Sequence, residues 1–299
     1  MKKVLSWLVT TFLSLIVIFV ILPVALVVTL SLLPVLFGGG GERGDNRVAV
    51  VELEGIITSS KKTIEELYRQ VDNKEIKGII LRIDSPGGAV APSQEIFTAV
   101  RKLKEKKPII ASFGAVAASG GLYAALGATR IYAQPGTLTG SIGVILQIPN
   151  VRKITDQFGF EMVTIKSGAL KDAGNVFREM LEGEKAYLQS TVDQAHSGFV
   201  RAVVEGRGIP REEVLRFADG RVLLGEEALK LKLIDEIGDL DDAARRVFQE
   251  LKTPLAPEER PELIYPDDTF RELTDLLRSV SSIGELFRSR HMELQYIMH

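Results

Sequence analysis

The sequence predicts an α/β fold in which helices cover a mainly parallel β-sheet. Three observations support this. Strand-like and helix-like segments alternate from Arg47 to Leu251, and the near-continuous apolar run at 78–84 is typical of a strand buried on both faces. Glycine is abundant, at 27 of 299 residues, and aromatic residues make up only 7%. Alternating strands and helices favour parallel pairing with right-handed crossovers.

The first segment of the chain differs from the rest. Residues 4–37 carry no charge and consist mostly of Leu, Val, Ile and Phe. A membrane-spanning helix needs about 20 apolar residues, and the apolar part of a cleaved signal peptide has only about 7–15. We therefore expect an uncleaved transmembrane anchor. Lys2 and Lys3 precede it, so the positive-inside rule places the N-terminus in the cytoplasm and the later residues outside.

The expected domains are an anchor segment with its glycine linker at 1–41, a folded domain at 42–252 and a C-terminal arm at 253–299. Within the folded domain, β-branched and apolar runs predict strands at 47–55, 78–84, 107–113, 130–134 and 161–168, with an extended segment at 137–146. Apolar spacing of the helical kind predicts helices at 63–72, from the turn after 88 to about 106, and at 118–128, 183–208 and 209–220, with a short helix between 146 and 161. The segments 226–238 and 239–251 complete the domain. The arm is proline-rich to residue 268 and has helical spacing at 270–287.

Composition excludes several function classes. Lys and Arg number 37 and Asp and Glu 39, a net charge of −2 that argues against a nucleic-acid partner. Cysteine is absent, so thiol nucleophiles, disulfides and thiolate metal sites are excluded. The three histidines, His196, His291 and His299, form no metal-binding pair, and we expect neither a metal nor any other cofactor.

Three glycine-rich turns carry the candidate chemistry. They span 84–88, 117–121 and 138–143, each near the end of a predicted strand, where sites form in parallel sheets. Ser119 is a candidate nucleophile, and the N–H groups of Gly120 and Gly88 could form an oxyanion hole. Spacing alone, however, favours the simpler interpretation of Ser119 as a helix N-cap.

A serine nucleophile also needs a base. His196 lies inside a predicted helix, where a lone histidine is more often structural, and the other two histidines lie in the tail. A neutral lysine can serve instead, because burial lowers the pKa of its amine. Lys166 and Lys171 lie in one glycine-bounded loop, and the residues alone do not distinguish between them.

Five motifs, in this order along residues 47–250, resemble the short form of the signal peptide peptidase A family: GIILRIDSPGG, AASGGLYAA, TLTGSIGV, IKSGALKDAG and ADGRVLLGEEALKLKLIDEIG. Its members are membrane-anchored serine–lysine peptidases with the Clp protease/crotonase fold. The resemblance implies Ser119 as nucleophile and Lys171, rather than Lys166, as general base. It further implies an oxyanion hole from the amides of Gly88 and Gly120, and a Ser141 hydroxyl that holds the lysine amine.

The resemblance also implies partners. A longer form of the family places serine and lysine in different repeats, so we expect a homo-oligomeric ring in which a neighbour supplies Lys171 to Ser119. The expected substrates are signal-peptide remnants and other hydrophobic peptides at the outer surface of the cytoplasmic membrane. The alternatives are an acyl-CoA enzyme of the crotonase type, a peptidase of the stomatin-operon type and a non-enzymatic scaffold.

Overall fold

The computed structural model describes residues 46–266 and 295–297, together with Phe19 and Leu22. The chain divides into two units, Met1–Gly44 and Asp45–His299, and the description below concerns the second. Among the described residues, no helix is both long enough and apolar enough to cross a bilayer. The predicted anchor at 4–37 lies almost entirely outside them, as does the predicted helix at 270–287, so both stay predictions.

A mixed β-sheet, parallel in most of its pairings, forms the centre of this unit. Its strands are β1 (Arg47–Ile57), β2 (Gly78–Ala89), β3 (Ile109–Ala117), β4 (Arg130–Ala133), β5 (Leu138–Gly140), β6 (Val222–Leu224), β7 (Glu236–Ile237), β8 (Glu262–Ile264) and β9 (Gln295–Ile297). The main path runs β6-β5-β3-β2-β1-β8. The first part of β3 pairs with β4, which pairs with β7, while Val116 near the end of β3 pairs with β5. Only the β5–β6 and β2–β9 pairs among these described strands are antiparallel.

Eight helices are described around the sheet. They are α1 (Lys61–Asp72), α2 (Val90–Leu103), α3 (Gly120–Ala125), α4 (Arg152–Gln157), α5 (Glu182–Arg207), α6 (Arg211–Leu215), α7 (Gly225–Lys230) and α8 (Leu240–Glu250). The apolar side of α8, including Val247 and Phe248, packs on one face of the sheet. Helices α1, α2, α3 and α5 contribute to the larger core on the other face.

Alternation along the strands explains why the central strands are apolar at almost every position. Ile79 and Leu81 of β2 point into the larger core, while Ile80 between them points toward α8. Side chains of a strand alternate between the two faces, and both faces here are covered by helices. The continuous apolar run at 78–84 therefore becomes a central strand, as predicted.

One predicted strand is absent from the structure, and the predicted extended arm is found in part as a strand. The strand expected at 161–168 is wrong: these residues form no strand and are exposed. Its β-branched residues meet no neighbouring strand in the described chain, and a strand requires a hydrogen-bonding partner. The proline-rich arm was expected to be extended, and Glu262–Ile264 of it joins the sheet as β8, parallel to β1.

Candidate active site

Ser119 lies at a sharp turn between β3 and α3. Its backbone has φ 53° and ψ −115°, a conformation that only glycine adopts without strain. Its N–H donates to the carbonyl of Gly140 at 2.9 Å. The residue is fully buried, and its Oγ has no hydrogen-bond partner among the described residues. Ser119 occupies the N-cap position of α3, but its side chain makes no capping bond, so the simpler interpretation fails.

Gly120 and Gly88 lie side by side next to this serine. A Cβ on Gly120 would stand 3.1 Å from the backbone N of Gly88 and 2.5 Å from Ser93 Oγ. A side chain at Gly88 would overlap the Ile57 carbonyl at 2.1 Å. Both positions therefore require glycine on steric grounds. The arrangement brings the two expected oxyanion-hole residues to one place beside Ser119.

Two buried serines support these turns, and the sequence did not single them out. Ser85 Oγ donates to the Gly55 carbonyl at 2.6 Å and accepts from Gly87 N–H at 3.1 Å. Ser93 Oγ donates to the Ala89 carbonyl at 2.9 Å. The only signal for either was its place in or just after the glycine turn, which does not distinguish a supporting serine from any other turn serine.

Ser141 also lies at this end of the sheet. Its backbone has φ 50°, and its N–H donates to the Arg221 carbonyl at 2.7 Å. The residue before it, Gly140, accepts the hydrogen bond from Ser119 N–H. The turn that carries Ser141 is thus tied directly to the turn that carries Ser119.

Lys171 is not in hydrogen-bond contact with Ser119 of its own chain. It is exposed, whereas Ser119 is buried and its Oγ is unpartnered within the described part of the chain. The other loop lysine, Lys166, is engaged: its Nζ donates to the Asp172 carboxylate and to the Ala169 carbonyl. The Lys166 amine is therefore engaged within its own loop.

The segment that carries Lys171 exposes many apolar side chains. We call residues 150–181 the lysine arm. Ile165 is 96% exposed, Phe158 82% and Val163 75%. Further exposed apolar residues of this arm are Ile154, Phe160, Met162, Leu170, Met180 and Leu181. An apolar surface of this extent is typical of a protein–protein contact.

A segment near the C-terminus lies along the edge of the sheet at Gly88. Gln295–Ile297 forms an antiparallel pair with Gly87–Ala89, with Tyr296 opposite Gly88. This edge of β2 can therefore take an extended peptide through backbone pairing.

His196 has a structural contact. Its Nε2 lies 2.8 Å from the carbonyl of Ala218, in the loop that leads to Arg221. In the described part of the chain, no group of three or more metal-ligating side chains is placed to hold an ion.

Comparison with family models gives two matches. The model described as peptidase family S49 matches residues 101–253, and the model described as Clp protease matches residues 46–137. Together they cover all the turns described above.

Two proteins named as proteases are similar to this chain in sequence. A protein of Synechocystis sp. that is named as a protease is 42% identical over 198 residues, which cover 66% of this chain and 72% of the relative. The chloroplastic serine protease SPPA of Arabidopsis thaliana is 31% identical over 253 residues, which cover 80% of this chain and 37% of the relative. A solved membrane-bound stomatin-specific protease aligns with 74% of this chain at 19% identity and a TM-score of 0.45.

Proposed function

Because the chain belongs to peptidase family S49 and is a serine peptidase, we propose that Ser119 and Lys171 form its catalytic dyad. The observation that carries the proposal is the environment of Ser119. This residue is buried, has a strained backbone and lies next to Gly120 and Gly88, which are side by side. Its hydroxyl has no hydrogen-bond partner in the described part of its own chain. Strain and an unpaired buried hydroxyl are costly features that concentrate at functional sites.

With this dyad the reaction would proceed as follows. Ser119 Oγ attacks the peptide carbonyl carbon while Lys171 Nζ takes its proton. The N–H groups of Gly88 and Gly120 stabilise the oxyanion that forms. Lys171 then protonates the leaving amine as the C–N bond breaks, and later activates the water that releases the acyl group from Ser119. In this scheme the Ser141 hydroxyl holds the lysine amine in place.

The dyad is completed between two copies of the chain in a homo-oligomeric ring. Within the described residues of one chain, the Ser119 hydroxyl has no base beside it, while Lys171 sits on an exposed apolar arm that needs covering. A neighbouring copy that packs against the lysine arm would bury these apolar side chains and could also bring its Ser119 to Lys171. The match to the Clp protease model is consistent with an oligomer.

Mixing inactive variants tests this arrangement. The test uses a protein comprising residues 42–299. The variants Ser119→Ala and Lys171→Ala are each expected to be unable to cleave a hydrophobic reporter peptide, and mass spectrometry identifies the products. If the two variants are mixed in equal amounts and reassembled, about one quarter of the shared sites regain both groups, so about one quarter of the activity returns. No recovery after verified mixing would contradict a shared site, and full activity of Lys171→Ala would contradict the dyad.

The substrates we propose are extended hydrophobic peptides, including signal-peptide remnants. The antiparallel pairing of Gln295–Ile297 with Gly87–Ala89 supports a bound peptide strand at the same edge. Removing residues 294–299 is then expected to lower KM for a reporter peptide, since the substrate no longer competes with the chain itself. An unchanged KM would place the substrate elsewhere.

We further propose that residues 4–37 anchor the chain in the cytoplasmic membrane, with the peptidase domain on the outer side. The support is the length of this uncharged apolar run and the two lysines before it. In spheroplasts, whose cytoplasmic membrane is sealed, added protease is expected to degrade the catalytic domain. Full protection of the domain, with degradation only after lysis, would contradict this orientation.

A further inference from the structure

Four charged side chains form a connected network around the turn that carries Lys171. Lys166 and Arg178 both pair with Asp172, the residue next to Lys171, and Arg178 also pairs with Glu184. Glu184 is buried, with 2% of its surface exposed, although it is charged. A buried carboxylate persists only where its partners satisfy it, so this network has a structural cost that calls for an explanation.

Arg178 is the centre of the network. Its Nε donates to the Asp172 carboxylate and its Nη2 to the Asp172 carbonyl, both at 3.2 Å. Its Nη1 donates to Glu184 Oε2 at 2.8 Å and to the Glu179 carbonyl at 3.0 Å, and Nη2 reaches the other Glu184 oxygen. One planar guanidinium thus connects the backbone beside Lys171 to the first turn of α5. Lysine, with a single nitrogen, cannot make this set of bonds.

The connection matters because the turn has little else to hold it. Around Lys171 the backbone forms only single turns, such as Lys171 N–H to the Gly168 carbonyl at 3.1 Å. By contrast, α5 is 26 residues long, and its Phe199 and Val203 are fully buried in the core. Bonding the turn to the start of this helix fixes the position of the turn relative to a rigid element.

The network also controls a charge. The Asp172 carboxylate is adjacent in sequence to Lys171, and a free carboxylate there would favour the ammonium form, which cannot act as a base. Hydrogen bonds from Lys166 and Arg178 instead occupy this carboxylate and lower its pKa to about 2. Its negative charge is thereby balanced by two cations other than Lys171.

We propose that Arg178, anchored by Glu184, is a positioning residue that presents Lys171 to Ser119 of a neighbouring copy and keeps the Asp172 carboxylate away from it. This rests on the proposed dyad. Arg178 touches neither Ser119 nor the glycine turns in the described chain; it acts through Lys171.

The first test is Arg178→Lys in otherwise unchanged protein. It retains the charge but loses most of the bonds, so kcat is expected to fall about 10- to 100-fold through misplacement of the base, with KM little changed. The acidic limb of the pH–rate profile should move to higher pH, because the Asp172 carboxylate keeps only its bond from Lys166 and so stabilises the Lys171 ammonium more strongly. Besides Lys171, the charged groups that face this loop are Lys166, Asp172, Arg178, Glu184, Arg152 and Glu179.

Arg101→Lys is the matched control. Arg101 also pairs with a glutamate of α5, Glu205, at 3.0 Å, but from α2 and outside the lysine arm. It is expected to leave kcat and the pH profile unchanged. Glu184→Gln is a milder second variant, since it keeps an acceptor for Leu181 N–H and for Arg178; it should move both readouts in the same direction as Arg178→Lys. Unchanged kcat and pH profile in both folded variants would overturn the proposal.

The second test uses the mixed assembly. Arg178→Lys is placed either in the Ser119→Ala chain, which supplies Lys171, or in the Lys171→Ala chain, which supplies Ser119. The rescued activity should fall about 10-fold or more only in the first case. Equal losses in both placements would show a general structural effect and overturn the positioning role.

The outcomes separate this proposal from the dyad itself. If the parent mixture is inactive but Arg178→Lys alone shifts kcat and the pH limb, the positioning role stands and the sharing between copies fails. If Lys171→Ala is fully active, the dyad fails and the role of Arg178 fails with it. If rescue occurs and Arg178 has no effect in either position, only the positioning role is overturned.

Discussion

Ser119 combines a strained backbone with a buried hydroxyl, and the two can be separated by substitution. A non-glycine residue in this region costs about 1–3 kcal/mol, while glycine also loses about 0.5–1 kcal/mol through greater freedom when unfolded. We therefore expect Ser119→Gly to be more stable to urea than Ser119→Ala by about 1 kcal/mol, with both inactive. An alanine variant as stable as the glycine variant would mean that the turn relaxes and stores no strain.

Gly120 tests the oxyanion hole. A Cβ there would lie 2.5 Å from Ser93 Oγ and 3.1 Å from Gly88 N. Gly120→Ala is expected to lower kcat about 10²- to 10³-fold by displacing the amides. Gly136→Ala is the control, because a Cβ added to Gly136 would meet no atom within 4 Å and the φ of this residue is not left-handed. Comparable losses in both variants would indicate a general effect of added side chains.

At the level of single residues, the sequence identified the glycine turns but not how they are used. The motif pattern singled out Ser119, Gly120 and Gly88, whereas the spacing alone favoured an N-cap for Ser119. The turn conformation decides the question, because at φ 53° and ψ −115° the Ser119 side chain makes no capping bond to the helix. The Ser119 N–H also donates to the carbonyl of Gly140 in β5, a contact between residues that are distant in sequence.

Among the elements, the lysine arm should be sensitive to acid. Hydrogen bonds from Lys166 and Arg178 lower the pKa of Asp172 to about 2, and Arg178 and the Leu181 N–H lower that of Glu184 to about 2. Carboxylates with a lower pKa in the folded state contribute stability above about pH 4, and this contribution is lost as the pH falls toward 2. Hydrogen exchange of residues 161–181, corrected for the intrinsic rate, is expected to accelerate between pH 4 and pH 2. Residues 90–103 of α2 serve as the protected reference, and an arm that stays equally protected would contradict the role of these pairs.

The elements also mark the limit of local sequence signals. The central strands and α5 follow from apolar patterns that their tertiary surroundings reinforce. The segment 161–168 carries a strand-like pattern without a strand, because its exposed apolar residues have no partner within the described chain. An apolar sequence pattern indicates which side chains a segment can bury. It does not indicate whether the surface that covers them belongs to the same chain.

For the whole molecule, the lysine arm predicts that activity depends on assembly. Ile165 is 96% exposed, so Ile165→Glu should leave the fold of one chain intact while weakening contact between copies. Specific activity should then fall steeply on dilution, in parallel with loss of the oligomer in sedimentation. Leu215→Glu, at an exposed position of α6 outside the arm, is the control. An active monomer of the Ile165→Glu variant would refute the shared site.

The sequence by itself determined the fold class, the order of the central strands and helices along the chain, and the residues that could carry the chemistry. These depend on local pattern, on steric demands for glycine and on motifs that a single chain displays. Only the tertiary structure decided that Ser119 is not a cap, that Gly88 and Gly120 lie side by side, and that Lys166 is occupied while Arg178 anchors the turn of Lys171. The physical reason is that each of these features depends on close backbone contacts or ion pairs between elements that are distant in sequence. A local sequence pattern contains no information about distances between such elements.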